Sequence, residues 1–290
     1  MVKQYSQLYL DVRRQLLEKE GEPLASQLAR HLLCHFSGKN HDQFLRDRDQ
    51  YATEEICNAV HNAVLRLLKD EPLAYILGEW TFYGLDLHVD HSVLIPRDDT
   101  CALAELAVKK ARFLDKDPRI LDLCTGSGCI GIAIAHRVKD ARVTLGDISP
   151  EALAVAKKNV MRHRLGGRVT CLQLNALQSP PAYLGKFHMI VSNPPYITTE
   201  DMKVLDASVR DFEPHLALHG GDDGLVFYRG IIENYTSALR PGGYLAFEFG
   251  EGQGDDICNL LHQNGYTVLE RVRDFGGTER AVLAQLTPLE

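Results

Sequence analysis

From Arg119 onward, short runs of β-type apolar residues alternate with stretches of helical periodicity, and this alternation restricts the fold more than any other feature. Strands are expected at residues 119–123, 142–147, 168–174, 187–192, 243–249, 266–273 and 280–286. Helices are expected at 129–138, 150–163, 224–239 and 253–264. Such alternation implies an α/β domain with a mostly parallel sheet covered on both faces by helices. Only Asp274-Phe275-Gly276-Gly277-Thr278 joins the last two strands. So short a link suits an antiparallel pair at the sheet edge.

The front of the chain has a different period. Apolar residues recur at helical spacing from Tyr5 to Leu17 and from Leu24 to Phe36, with Pro23 at a first turn. A short polar helix is expected over 42–48. Thr53 then opens a longer one, with Glu54 and Glu55 in its first turn. A small all-α bundle is the simplest arrangement that buries these faces. From Trp80 to Leu94 the residues turn β-type around Gly84 and Asp86, which reads as a hairpin. The expected organisation is a helical bundle over 1–77, a hairpin linker over 78–95 and the α/β domain over 96–290.

A chain of 290 residues is long enough for one larger and one smaller domain. It has no run of about 18 apolar residues, so no membrane span is expected. Residues 1–17 carry Lys3, Asp11, Arg13 and Arg14, which breaks up any signal-peptide core. Seven cysteines with no C-x-x-C pair point to reduced thiols and a cytoplasmic setting. Twelve histidines lie scattered without ligand spacing, so no metal is expected. The net charge of −7 argues against affinity drawn from nucleic-acid phosphates.

Two motifs carry chemistry. In the first, the strand at 120–123 runs into Cys124-Thr125-Gly126-Ser127-Gly128, and a helix follows. Glycines let the backbone turn sharply and approach a ligand, and a helix N-terminus offers unpaired N–H groups. Asp147 ends the next strand, where a carboxylate can accept both hydroxyls of a ribose. Gly126, Gly128 and Gly131 also spell G-x-G-x-x-G, so dinucleotide binding stays open on this segment alone. Asp122, four residues before Gly126, better suits a cofactor with an amino group near the strand end.

The second motif is Asn193-Pro194-Pro195-Tyr196, after the apolar run at 187–191. An Asn carbonyl can accept one N–H, and the Pro194 carbonyl a second. Tyr196 can close over a flat group. This arrangement has no role in hydride transfer. With the glycine turn it suggests a site that moves a methyl group onto an amide or amine nitrogen. His188, on the strand, reads as structural.

Residues 122–128 resemble the first motif of S-adenosylmethionine-dependent methyltransferases, and Asn193-Pro194-Pro195-Tyr196 resembles the N-P-P-Y motif of enzymes that methylate planar nitrogen. Residues 71–78 (EPLAYILG), 94–97 (LIPR) and 212–214 (FEP) narrow the match. In this order the segments resemble the HemK/PrmC family of protein-glutamine N5-methyltransferases, over most of the chain. The resemblance implies a helical bundle, a hairpin linker and a Rossmann-like domain with a seven-stranded sheet. It implies S-adenosylmethionine as cofactor, with S-adenosylhomocysteine as product. It also implies a protein partner, the bacterial class I peptide-chain release factor, methylated on the glutamine of its Gly-Gly-Gln motif. The chain is expected to act as a cytoplasmic monomer without nucleic acid.

Carried onto this sequence, the resemblance gives Asn193, Pro194 and Tyr196 catalytic roles. It assigns the cofactor to Asp122, Cys124, Thr125, Gly126, Ser127, Gly128, Asp147, Asn175, Ala176 and Asn193. Asn193, Pro194, Pro195, Tyr196, Arg97 and Glu213 are the substrate-side candidates. Arg97 has a second reading, an ion pair with Asp98, Asp99 or Glu213. The chain departs from the family at several points. Cys124 stands where glycine is usual; it is strained if its backbone is left-handed and fits easily if it is not. Asp98 and Cys101 replace a usual Pro and Glu. Asn175-Ala176 replaces an acid and a larger residue, so Asn175 would meet an adenine amino group without charge. Three rivals remain at this stage. They are a glutamine methyltransferase of a large-subunit ribosomal protein, a DNA adenine-N6 methyltransferase, and a binding module with a degenerate cofactor site.

Overall fold

The computed structural model describes residues 2–287. The chain forms two compact units, Met1–Gly78 with Ala207–Phe212, and Glu79–Asp206 with Glu213–Glu290.

The first unit begins with helices α1 (Tyr5–Glu20), α2 (Glu22–Ser37), α3 (His41–Arg46), α4 (Glu54–Leu67) and α5 (Leu73–Leu77). Their apolar stripes meet in one core that includes Leu16, Leu32, Leu33, Val60 and Val64, all fully buried. Each such leucine contributes about 1.5–3 kcal/mol by leaving water. The helix starts follow local chemistry. Asn40 and Gln43 cap α3 reciprocally. The Thr53 hydroxyl accepts the Ile56 N–H at the start of α4. Gly78, in the left-handed region, ends α5.

The second unit opens with the hairpin β1 (Glu79–Phe82) and β2 (Leu85–His88). Tyr83 and Gly84 both have positive φ, the geometry of a two-residue turn between twisted strands. The strand pattern expected to reach residue 94 stops at His88. From there the chain runs irregularly to the short turn before α6 (Cys101–Ala111). Helix α6 was not among the expected helices. It buries Leu103, Ala104, Ala107, Val108 and Ala111 along one stripe.

The α/β elements follow as β3 (Arg119–Leu123), α7 (Cys129–Arg137), β4 (Arg142–Asp147), α8 (Pro150–Arg162), β5 (Val169–Gln173) and β6 (Phe187–Ser192). A four-residue helix, α9 (Ala207–Arg210), lies in the segment grouped with the first unit. Then come α10 (Val226–Tyr235), β7 (Leu239–Glu248), α11 (Gly254–Gln263), β8 (Tyr266–Arg273) and β9 (Glu279–Leu286). The seven strands order as β5-β4-β3-β6-β7-β9-β8, with β5 to β7 parallel. As expected, the last two strands are antiparallel at the edge. Strand β7 starts four residues early, and its pairing with β6 is irregular between Phe187 and Met189.

Side-chain alternation splits the sheet into two apolar layers. Ile120, Val143, Met189 and Ala246 face α6 and α7, whereas Leu121, Ile190, Leu245 and Phe247 face α10 and α11. The seven cysteines are unpaired. Among the described residues, no helix is long and apolar enough to cross a membrane.

Candidate active site

The carboxyl ends of β3, β4 and β6 border a cleft of about 230 Å³. Order reversal beside β3 opens a crevice there, as in other doubly wound sheets. Its walls come from the turn after β3, the end of β4, the loop after β5 and the start of the Asn193 motif.

The turn is built on a buried carboxylate. Asp122 is fully buried, and its Oδ2 accepts from the Thr125 hydroxyl at 2.6 Å and the Gly131 N–H at 2.9 Å. Burial pushes the Asp122 carboxyl up to about 7, against the pull of those two donors. Asp122 therefore braces the turn from within and does not line the cleft, unlike the cofactor contact expected from sequence. Gly131 is small for the same packing reason, since an added Cβ would stand 2.2 Å from a Leu145 methyl. Gly126 is different. An added Cβ there meets no atom within 4 Å, so its backbone is bare beside the cleft.

Cys124 has φ of 60°, the left-handed option of the two readings. A side chain costs about 1 kcal/mol or more in that region. Burial holds its thiol far above the ordinary range. Ser127 lines the cleft with its hydroxyl buried and unpartnered. Gly128, also at positive φ, leads into α7. From α8, the Asn159 side chain ties the Ser127 carbonyl to the His88 backbone, donating to both carbonyls at 2.9 Å. It also accepts the His88 N–H at 2.6 Å. The hairpin is thereby fastened to the turn, which sequence reading did not reveal.

Asp147 lines the cleft at the end of β4. Its two oxygens accept from Gly126 N–H at 2.8 Å and Ser149 N–H at 3.0 Å. Two further lone-pair directions remain on the carboxylate. Burial raises its pKa, while the backbone donors of Ser149, Gly126 and Ile148 pull it down. Asn175 and Ala176 also line the cleft. The Asn175 Oδ1 already accepts from Leu177 N–H at 2.9 Å. The carbonyl expected to meet an adenine amino group is thus engaged with its own loop.

Asn193 follows β6, which pairs with β3 so that Ser192 lies opposite Leu123. The Ser192 hydroxyl donates to the Leu123 carbonyl at 2.6 Å, locking the two strand ends together. Asn193 and Pro195 line the cleft, whereas Pro194 and Tyr196 do not. The Asn193 amide nitrogen donates to the Thr100 hydroxyl at 3.4 Å. The Tyr196 carbonyl accepts from Gln253 at 3.2 Å. Its phenol is pushed up to about 12, mainly by burial. His188 accepts the Arg119 N–H at 2.9 Å, the structural role expected of it.

Arg97 and Glu213 are paired with each other. The Glu213 side chain is 1% exposed and also accepts the Ile95 N–H at 3.2 Å. Burial of Glu213 in this pair removes it from any surface contact with a peptide. The ion-pair reading of Arg97 is the one realised. Sequence reading missed Thr100 and Glu248. Glu248 ends β7 and is 1% exposed, with its Oε2 buried and unpartnered, and burial raises its carboxyl to about 8. A lone acid between Phe247 and Phe249, in an otherwise apolar strand, was the signal.

The sheet order, the glycine turn and the acceptor motif beside it define the chain as a Rossmann-like methyltransferase. Residues 102–231 match the family described as methyltransferase small domain, and residues 10–78 match the PrmC N-terminal domain. A methyltransferase structure from Pyrococcus furiosus has the same fold, with a TM-score of 0.51 at 19% identity over 78% of this chain and 98% of that one. A release factor glutamine methyltransferase of Clostridium acetobutylicum is 39% identical, over 83% of this chain and 85% of the relative. One from Geobacter sulfurreducens is 38% identical over 94% of each. The chain belongs to the release factor glutamine methyltransferase family.

Proposed function

We propose that the chain transfers a methyl group from S-adenosylmethionine to the side-chain amide nitrogen of the glutamine in the Gly-Gly-Gln motif of bacterial class I release factors. One observation carries this reading. The Asn193 carboxamide stands beside the glycine turn because Ser192 and Leu123 are locked in register.

The residues present fit the cofactor. Gly126 leaves space beside its backbone, the Ser127 hydroxyl lacks a protein partner, and Asp147 keeps lone pairs for ribose hydroxyls. Thr125, Gly126, Ser127 and Asp147 would hold its polar groups, with Asn175 and Ala176 beside the base. When bound, S-adenosylmethionine supplies an electrophilic methyl group on a sulfonium.

An amide nitrogen is a weak nucleophile because its lone pair is delocalised. The Asn193 side-chain carbonyl, on the cleft, and the Pro194 carbonyl, which the substrate would meet just outside it, accept its two N–H groups and fix its plane. Those N–H bonds grow more positive as the nitrogen is alkylated, so the acceptors favour the transition state over the ground state. Tyr196 orients the amide plane. The nitrogen then loses its proton readily, and the motif needs no strong base.

The helical first unit is the proposed docking site for another part of the release factor. The enzyme acts as a cytoplasmic monomer, and its charge of −7 supports a protein partner over nucleic acid. Methyl incorporation into a purified release factor tests the reading. A release factor with Ala in place of that glutamine is expected to take up none.

A further inference from the structure

The acceptor motif has to aim two carbonyls at one amide, yet its middle has little to hold it. Pro194 and Pro195 carry no N–H, so neither can be tied to a neighbour by donating. The Pro194 carbonyl has to stay free for the substrate. Its direction is therefore set by whatever fixes the chain on either side.

Upstream, the anchor is Ser192, which lies opposite Leu123 in the sheet and donates its hydroxyl to the Leu123 carbonyl. Downstream, the anchor is Tyr196. Its carbonyl accepts from the Gln253 side-chain nitrogen at 3.2 Å. The other end of the same carboxamide, Oε1, accepts the Gly250 N–H at 2.9 Å. A backbone N–H only donates and a backbone carbonyl only accepts, so these two partners leave the Gln253 carboxamide a single orientation. Gln253 immediately precedes α11 but makes no side-chain capping bond to that helix. Its amide serves the turn after β7 and the motif instead. Strand β7 pairs with β6 so that Phe247 lies opposite Ser192, which roots both anchors in one sheet.

The packing around Tyr196 is equally close. Gly224 has φ of 71°, and an added Cβ there would overlap the Tyr196 carbonyl oxygen and stand 2.5 Å from the Gln253 nitrogen. An added Cβ at Gly250 would stand 3.1 Å from Cδ2 of the Tyr196 ring. One residue on, Ile197 donates to the Leu218 carbonyl at 2.9 Å and accepts the Gly220 N–H at 2.8 Å. Gln253, Gly224 and Tyr196 all lie outside the lining of the cleft.

We propose that Gln253 is a positioning residue for methyl transfer. By holding the Tyr196 carbonyl to the turn after β7, it fixes the downstream end of the motif and so aims the Pro194 carbonyl and the Tyr196 ring at the substrate amide. This rests on the reaction proposed above.

The test is methyl transfer to a release factor, with S-adenosylhomocysteine binding measured by calorimetry on the same proteins. Gln253→Glu keeps the shape and still accepts the Gly250 N–H, but it turns an oxygen toward the Tyr196 carbonyl where a donor stood. Its kcat is expected to fall about tenfold to a hundredfold, the scale for a misplaced reacting group. KM for the release factor and product affinity are expected to stay within about threefold, because the loss falls on the transition state. Gln253→Met fills the space without either hydrogen bond. It is expected to show the same split with the smaller loss, about tenfold in kcat, and it carries the test if Gln253→Glu does not fold. Gly224→Ala presses on the same carbonyl, so its loss and that of Gln253→Glu are expected to combine to less than their product.

Wild-type kcat in both Gln253 variants would overturn the proposal. So would a fall in product affinity as large as the fall in kcat, which a general loosening of the domain would give, or losses that multiply fully in the double variant. Absence of any transfer by the wild-type chain would instead overturn the reaction on which the proposal rests.

Discussion

Replacing Glu248 with Gln removes a group that the folded chain tolerates poorly when charged, so the substitution is expected to stabilise the protein at alkaline pH. Burial pushes the Glu248 carboxyl from 4.5 up to about 8, although Thr100, Arg280 and Asn193 all pull it down. The folded state therefore holds this proton more tightly than the unfolded chain. The associated stability is complete below the unfolded value and is lost as pH rises toward the folded one. Each pH unit of difference corresponds to about 1.36 kcal/mol. At pH 5.5, about one unit above the unfolded value, roughly 1–2 kcal/mol is already lost. At pH 8.5 nearly the whole gap has been crossed, and the loss is about 4–5 kcal/mol. The wild-type chain is thus expected to lose about 3 kcal/mol more than Glu248→Gln between these two pH values. Asp122, with its carboxyl raised to about 7, adds a similar slope to both proteins and cancels in the comparison. Urea titrations at pH 5.5 and 8.5 measure the difference directly. Parallel pH dependence in the two proteins would show that Glu248 does not hold its proton more tightly in the folded chain.

Three further substitutions separate the parts of the site. Asn193→Ala is expected to lower kcat at least a hundredfold while S-adenosylhomocysteine affinity by calorimetry stays within about threefold, since the lost acceptor serves the substrate amide. Asp147→Ala removes an anionic acceptor from the proposed ribose position. Cofactor affinity is expected to fall about tenfold to a hundredfold, and an unchanged affinity would take Asp147 off the ribose. Gly131→Ala places a methyl 2.2 Å from Leu145 Cδ2 and 3.0 Å from Asp122 Oδ2. Overpacking of this kind costs about 1–3 kcal/mol, so a lowered urea midpoint is expected.

The strand–helix alternation was legible because period and turn chemistry agree along residues 119–286, as in β3, β6 and β8, whose expected and observed limits coincide. Helix α6 was missed although its stripe is regular, because Ala102, Ala104, Ala107 and Ala111 give a weak hydrophobic contrast. The hairpin ran too long in the sequence reading. Val89, Val93 and Ile95 are apolar and buried, but they lie on irregular chain. In the site, Asp147 and Asn193 stand at strand ends, a position legible in sequence, and both line the cleft. At Asp122 and Glu213 the sequence shows a carboxylate but not which way it points. Asp122 turns into the core under Thr125 and Gly131, and Glu213 turns in to meet Arg97. Thr100 is far from Asn193 in sequence, and only the fold brings its hydroxyl to the Asn193 amide.

One measurement tests the reaction and its substrate together. A purified bacterial release factor is incubated with this protein and S-adenosylmethionine, and its Gly-Gly-Gln peptide is then analysed by mass spectrometry. The expected result is the mass of one added methyl group, placed on the glutamine side chain by fragmentation, and none with Asn193→Ala. An unmodified glutamine, from folded protein that binds the cofactor, would contradict it.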